Sequence, residues 1–327
     1  MAHAILEDDH MVSAGGVLPW HGLGTVLPSE ALDASEALTY AHLDWEVEKI
    51  PVYAHLDTKD GYGNPVVSKV PNSWATVRMD TQRALAVVGD RFEVVQNRTA
   101  FDWMDTLLGD DGFHYHTAGS LWNGRVVWLL AKAPFEIAMA DSRIDMYVLI
   151  RNSHDGNSAV IAAIVPIRVV CANTLAAALG SAQAMYKIRH TVNAEAKLGE
   201  AQRVLGLAQG AADMLEKRAT AMLAKKLSRE RFDGFLNQLV PMPEDKDGKS
   251  ATMAQNTQQE IADVYYGEPT QADIVGTAWG AFQAVTFYVD HLQPTRVSLG
   301  SDAENRFRRS LEAKNLAHRA MAVLGEK

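Results

Sequence analysis

The feature that most constrains this chain lies between residues 113 and 170. The run "SAVIAAIVPIRVV" (158–170) is apolar and rich in β-branched residues, the composition of a buried strand. Three strand-like segments precede it: "FHYHTAGSLWN", "RVVWLLAKAPF" and "DMYVLIRN". Between the last of these and the run stands "SHDGNS". Asp-Gly and Gly-Asn are favoured two-residue hairpin turns, because small or amide side chains accept a positive φ. Segments of this kind in succession predict an antiparallel β-meander. "CANTLAAALGSA", directly after the run, reads as a helix.

The flanks add helices and shorter strands. Residues 1–28 read as irregular chain, punctuated by Gly22, Gly24 and Pro28. "SEALDASEALTYAHL" predicts a short helix capped by Ser29. "WEVEKIPVYA", "SWATVRMD" and "ALAVVGDRFEVVQ" read as strands, with "DGYGN" (60–64) a hairpin tip. "RTAFDWMDTLLG" is a helix closed by Gly109. From Leu198 to Met222, small and apolar residues recur at alternating spacings of three and four. That is a helix with a narrow seam, expected to lie on the sheet. Gly206 and Gly210 within it suggest close backbone packing. Residues 241–255 are polar and carry prolines, so they read as an exposed loop or linker. A helix comes next through "DIVGTAWGAFQAVTFYVDHLQP", with Ile274, Ala278, Ala281, Val285, Val289 and Leu292 on its buried face. The last helix opens with a capping box of Ser301 and Glu304, and carries Arg306, Arg308, Arg309 and Arg319. The expected fold is α+β: an antiparallel β-meander packed by helices, with a helical C-terminal third. The expected division is an irregular segment 1–28, a core domain 29–240, the loop 241–255, and a C-terminal helical segment 256–327 packed on the core.

Charge is uneven along the chain. Residues 1–150 carry 21 acids and 10 bases, a net of −11. Residues 151–240 carry 7 acids and 12 bases, a net of +5, and 241–327 carry 12 acids and 9 bases, a net of −3. The overall −9 argues against a general polyanion binder, while the basic middle leaves room for a local phosphate-binding face. No apolar run reaches the roughly 18 residues of a membrane span. The opening "MAHAILEDDHM" lacks the basic-then-apolar order of a signal peptide. A lone cysteine, Cys171, excludes an internal disulfide framework and points to a reducing cytoplasm.

Chemistry-bearing residues fall into three groups. His154 and Asp155 sit side by side, but neighbours on a strand point to opposite faces, and the turn reading accounts for them. His114 and His116 are two apart in a strand, so they face one side, the best metal spacing in the chain. A metal site still needs a third ligand, for which Asp155, His190 and Asp102 are the candidates. Cys171 at a helix start, with Asn173 and His190, could form a nucleophile set, although "RVVCANTL" is an apolar core-like run. "GLGT" lacks the strand and helix of a dinucleotide site, and no phosphate-binding loop motif is present. No cofactor is implied. The third group is Arg151, Arg168, Lys187, Arg189 and His190, around the hairpin and the segment after it. Arg151 and Arg168 should lie at opposite ends of paired strands. A groove of this kind can track a phosphate backbone, with Trp122, Trp128, Tyr147 and Tyr186 as nearby aromatics.

Several ordered motifs carry a resemblance: "PWHGLGT", "LDWEV", "GDRFEVVQN" then "AFDWMDTLL", "TAGSLWNGRVVW", "NSHDGNSA", "PIRVVCANTLAAAL", "IRHTVNAEAKLGEA" and "GTAWGAFQAVTFYVDH". From about residue 18 onward the chain resembles the phage- and plasmid-like family carrying domain of unknown function 932. Val165 stands where the family pattern has threonine, and Gln283 where it has asparagine. The resemblance implies a mobile-element setting near recombination or anti-restriction genes. The meander-then-helix order is also similar, at fold level, to single-strand annealing proteins. The leading expectation is therefore an accessory protein that binds single-stranded DNA as a homo-oligomer in the host cytoplasm. It would act in annealing or recombination without covalent chemistry, through Arg151, Arg168, Lys187, Arg189 and His190. Two alternatives stay open. One is a counter-defence protein that binds a host protein or small molecule. The other is a metal-dependent hydrolase using His114, His116, His154 and Asp155.

Overall fold

A computed structural model describes residues 10–13, 25–26, 33–59, 61–108, 113–138, 143–168, 173–174, 185–194, 208–245, 248–294 and 315–325. Strands β1 (Met11–Ser13) and β2 (Thr25–Val26) pair in parallel at one edge of the larger sheet. A smaller sheet is a three-stranded antiparallel meander of β3 (Val47–Lys59), β4 (Pro65–Arg78) and β5 (Arg83–Val88). The larger sheet is built on β6 (His114–Leu121), β7 (Val126–Ala138), β8 (Arg143–Ser153) and β9 (Val160–Arg168), antiparallel in chain order. This is the meander the sequence predicts. β1 joins it antiparallel to β6. The short strands β10 (Asn173–Thr174) and β11 (Met185–Ile188) both pair with β9.

Strand β8 is buried from Ile144 to Ser153, so both of its faces are covered. That explains why "MYVLI" shows no alternation in polarity. One face sends Ile144, Met146, Val148 and Ile150 into the main core. The opposite face sends Tyr147 and Leu149 into a second cluster with Leu130, Ile161, Ala163, Val165 and Ile167. Trp128 packs on that second cluster, so Tyr147 and Trp128 are core residues and not stacking platforms.

The main core is covered by helices. These are α1 (Ala34–Tyr40), α2 (Asn97–Leu108), α3 (Ala208–Ala224), α4 (Arg229–Leu239), α5 (Lys249–Gly267), α6 (Ala278–Phe287) and α7 (Leu316–Gly325). Helices α1 and α2 lie together against β6 and β8. Asp105 of α2 accepts the Ala34 backbone N–H at the start of α1 and also the Tyr115 hydroxyl of β6. The C-terminal third is helical and contributes Ile261, Trp279, Phe282, Val285 and Leu324 to the same core as the sheet residues. No described helix is long and apolar enough to cross a membrane.

Several local expectations need correction. The first helix begins at Ala34, with Asp33 as its cap accepting the Glu36 N–H at 2.7 Å. Ser29 lies outside the described residues. "FEVVQ" is not strand: β5 stops at Val88 and Gly89-Asp90 turns the chain. Asn173 and Thr174, expected at a helix start, pair as strand with Arg168 and Ile167. The seam helix buries Ala212, Leu215, Ala219 and Met222 as expected. It packs against α6 and α7 as well as β7. A Cβ on Gly210 would meet nothing within 4 Å, so this glycine serves no close approach. The loop expected to run to residue 255 gives way to helix at Lys249, because Ala251, Ala254, Ile261, Val264 and Tyr265 form a buried stripe. Helix α6 is buried on every side from Ala278 to Thr286, and a π-helical turn over Tyr288–Leu292 rotates Leu292 out to 43% exposure. Helix α4 has no counterpart in the pattern read from the sequence. Gly109, Cys171, Gly206, the Ser301–Glu304 box and Arg306, Arg308 and Arg309 lie outside the described residues.

Candidate nucleic-acid interface

The β8–β9 hairpin forms where "SHDGNS" predicts it, but its turn is not a two-residue one. The connection runs from His154 to Ala159, and the β8–β9 pairing reaches Arg151 with Ile161 at this end. Asp155 organises this loop. Its carboxylate accepts the Asn157 backbone N–H at 2.9 Å, the Asn157 side-chain amide at 3.2 Å and the Ser153 hydroxyl. Gly156 takes φ +72, as the turn chemistry requires.

The loop is wedged into the rest of the molecule. His154 is fully buried. Its Nε2 lies 2.8 Å from Asn97 Oδ1, and the Asn97 amide donates to the Leu43 carbonyl at 2.9 Å. The Asn97 oxygen therefore faces the ring, and Nε2 carries the proton. The His154 backbone donates to the Arg125 carbonyl at 2.7 Å and accepts from the Thr76 hydroxyl at 2.7 Å. Trp45 packs edge-on at 5.5 Å, and the Arg78 guanidinium lies over the Trp45 ring at 4.5 Å. Burial pushes the His154 pKa down to about 3, assisted by the charge of nearby His190 and opposed by Asp155. His154 is thus a neutral structural joint between the two sheets and α2.

Beside this joint opens a cleft of about 740 Å³. Three loops line it: 89–92 after β5, 156–159 of the hairpin, and 189–191 after β11, with Asn72 at the rim. Arg91 and Arg189 line the cleft, are exposed, and form no ion pair among the described residues. The neighbouring acids are occupied. Asp90 accepts the Trp74 indole N–H at 2.6 Å, and Asp155 holds the hairpin loop. Phe92 and His190 stack at 4.7 Å and 22° in the wall. Glu93 and His190 exchange two hydrogen bonds: the Glu93 N–H donates to the His190 carbonyl, and His190 Nδ1 donates to the Glu93 carbonyl, each at 3.1 Å. That leaves His190 Nε2, on a ring 7% exposed, as an acceptor with no partner among the described residues. Burial lowers the His190 pKa, against the raising effects of Glu93 and Asp155.

The five residues singled out from the sequence separate into layers. Arg189 and His190 line the cleft. Lys187 is exposed on β11 and sits in one cross-strand row with Ile161 and Arg151. Arg151 is buried at 6% and donates to Ser158 Oγ at 2.7 Å, so it braces the cleft wall from behind. Arg168 pairs with Ile144 at the far end of β8–β9, as expected of its backbone, and its side chain lies outside the described part of the structure. The sequence reading misses Arg91, Phe92, Asn157 and Ser158. The signal for Arg91 is the Gly-Asp dipeptide before it, which marks a turn.

The histidine cluster does not assemble. His114 pairs with Lys132 and His116 packs on Tyr147 at 5.2 Å. Tyr147 and His154 are seven residues apart along an extended chain, about 23 Å at the usual rise per residue. Among the described residues no group of three or more His, Cys, Asp or Glu could hold a metal.

Residues 84–313 match a family model described as Domain of unknown function (DUF932), which is more than half of the chain. The chain belongs to this family. No curated protein and no solved structure matches it. The DUF932 match contains all three cleft loops and the whole meander β6–β9, and it begins after β3 and β4.

Proposed function

We propose that this protein binds single-stranded DNA through the cleft, as an accessory protein of a phage or plasmid acting in annealing or recombination. It needs no covalent chemistry for this. The observation that carries the reading is the pair Arg91 and Arg189 lining one cleft, both exposed and without an ion pair among the described residues. Unpaired guanidinium groups are suited to phosphate, which they meet with a planar fork of donors. The Asn72 amide and the Asn157 side-chain oxygen supply hydrogen bonds to base edges. A cleft of about 740 Å³ lined by three loops has room for the splayed bases of a single strand. Binding as a homo-oligomer lengthens the track by repeating it.

Fluorescence anisotropy with labelled oligothymidylate tests this. The wild-type chain should bind at low salt, and affinity should fall linearly on a log–log salt plot. Arg91→Ala with Arg189→Ala should weaken binding at least tenfold and flatten the slope by about 0.7 for each phosphate no longer neutralised. Absence of wild-type binding at low salt overturns the reading.

A further inference from the structure

The β3–β4 hairpin is much longer than the sheet it belongs to. β5 pairs with β4 only over Trp74–Arg78, so β3 and β4 run on as a two-stranded arm up to the turn at 61–64. An isolated two-stranded ribbon is marginal in water, and this one holds little apolar cover. It carries exposed Tyr53 (52%), Leu56 (45%) and Tyr62 (93%). Prolines at 51, 65 and 71 interrupt the backbone donors along both strands, which disfavours pairing of another strand to its edges.

One face of this arm is continuous with the cleft. Thr76, whose hydroxyl holds the His154 carbonyl, pairs with Lys49. Two residues outward, Trp74 pairs with Pro51. Beyond a bulge, Lys69 pairs with Tyr53. The Lys69 ammonium lies 4.9 Å from the Trp74 ring and the Lys49 ammonium 5.5 Å, so both lysines share a face with Trp74. Tyr53, two and four residues from Pro51 and Lys49 on the same strand, joins that face. Trp74 in turn donates to Asp90, and Lys49 donates to the Asp90 and Phe92 carbonyls, which form the cleft rim. The order outward is therefore cleft arginines, Lys49, Trp74, then Lys69 beside Tyr53.

The geometry points to this face as a second contact surface for single-stranded nucleic acid, with Tyr53 stacking on a base and Lys69 meeting the phosphate beside it. It rests on the cleft binding a single strand, and adds a surface outside the three cleft loops. A cation beside an exposed aromatic suits a strand of anionic, π-faced units, while Lys49, held by the Asp90 and Phe92 carbonyls and facing Glu93 at 4.0 Å, ties the face to the cleft. The contact is sequence-tolerant, because every base offers a face to stack on. Lys69 offers the phosphate a cation and the exposed Tyr53 offers the base a ring, so the pair suits a base-bearing polyanion.

The test uses full-length protein and labelled oligothymidylate, comparing the wild type, Tyr53→Ala, Lys69→Ala, and the Arg91→Ala/Arg189→Ala double variant, with oligomeric state measured by sedimentation. Tyr53 and Lys69 are exposed, so folding should be unaffected. Tyr53→Ala should weaken binding roughly 5- to 100-fold with an unchanged salt slope, and Lys69→Ala should lower the slope by about 0.7. If the double arginine variant loses binding while Tyr53→Ala and Lys69→Ala bind like wild type, the arm is no contact surface and the cleft reading stands. If Tyr53→Ala changes oligomeric state and leaves binding intact, the face belongs to a second copy. If the wild type does not bind, both readings fall.

Discussion

Two hairpins in this molecule carry nearly the same turn signal and meet opposite fates. "DGYGN" ends the β3–β4 arm in solvent, while "HDGNS" ends β8–β9 inside a joint between two sheets and a helix. Both hairpins use a glycine at positive φ, +84 at Gly63 and +72 at Gly156. Around Gly63 a Cβ would meet nothing within 4 Å, but at Gly156 it would come within 2.9 Å of Val88 Cγ1. Asp-Gly chemistry thus dictates where the chain reverses. It does not dictate what the reversal touches. That is decided by residues far away in sequence: Trp45, Thr76, Val88 and Asn97.

Substitutions at each tip should separate the two hairpins. His154→Ala removes a fully buried ring and orphans Asn97, so unfolding in urea should show a loss of about 4 kcal/mol, by cavity and missing hydrogen bond together. Tyr62→Ala, on the exposed tip, should stay within about 0.5 kcal/mol. Glycine substitutions sharpen the contrast. Gly156→Ala should cost about 2–3 kcal/mol, since strain and the Val88 clash add, whereas Gly63→Ala should cost about 1 kcal/mol from backbone strain alone. Near-equal costs would refute the buried joint.

Acid sets the two tips apart as well. His154 is neutral when folded, with its pKa pushed down to about 3 from an ordinary 6.5. Between those values the unfolded chain binds a proton that the folded chain refuses. Stability should therefore fall as pH drops from 6.5 towards 3, by up to about 1.4 kcal/mol per pH unit for this group, and level off below. His190 shifts in the same direction and adds to the slope. Urea midpoints across this range should show a slope that shrinks in His154→Asn. An unchanged slope in that variant would place the titrating group elsewhere.

How much of the molecule is legible in its sequence depends on how local each cause is. The meander β6–β9 is legible because β-branched runs and turn dipeptides act over a few residues. Helix α5 is hard to see because its buried stripe, rich in alanine, is diluted by a polar face. Arg189 and His190 can be placed near the hairpin, since they come directly after a strand that pairs with β9. Arg151 reads as a contact residue, yet it lies buried behind Ser158, because a strand position alone does not reveal which face is covered. Arg91 is invisible as a partner of Arg189: ninety-eight positions separate them, and only the packing of the small sheet against the hairpin loop brings them to one rim.

The bulge in β4 also partitions the hairpin. Between the pairs Pro51–Trp74 and Tyr53–Lys69, β4 spends four residues where β3 spends one, and Asn72 there takes φ +51. One strand is thereby divided into two cooperative units. Opening that starts at the 61–64 turn can run inward through the ladder only as far as Asn72, where the pairing is already interrupted. In hydrogen-exchange terms, amides of residues 74–78 should exchange with the global unfolding of the core, and those of residues 66–70 through a shallow local opening. The bulge acts as a firebreak, so that whatever pulls on the arm does not unzip the sheet beneath it.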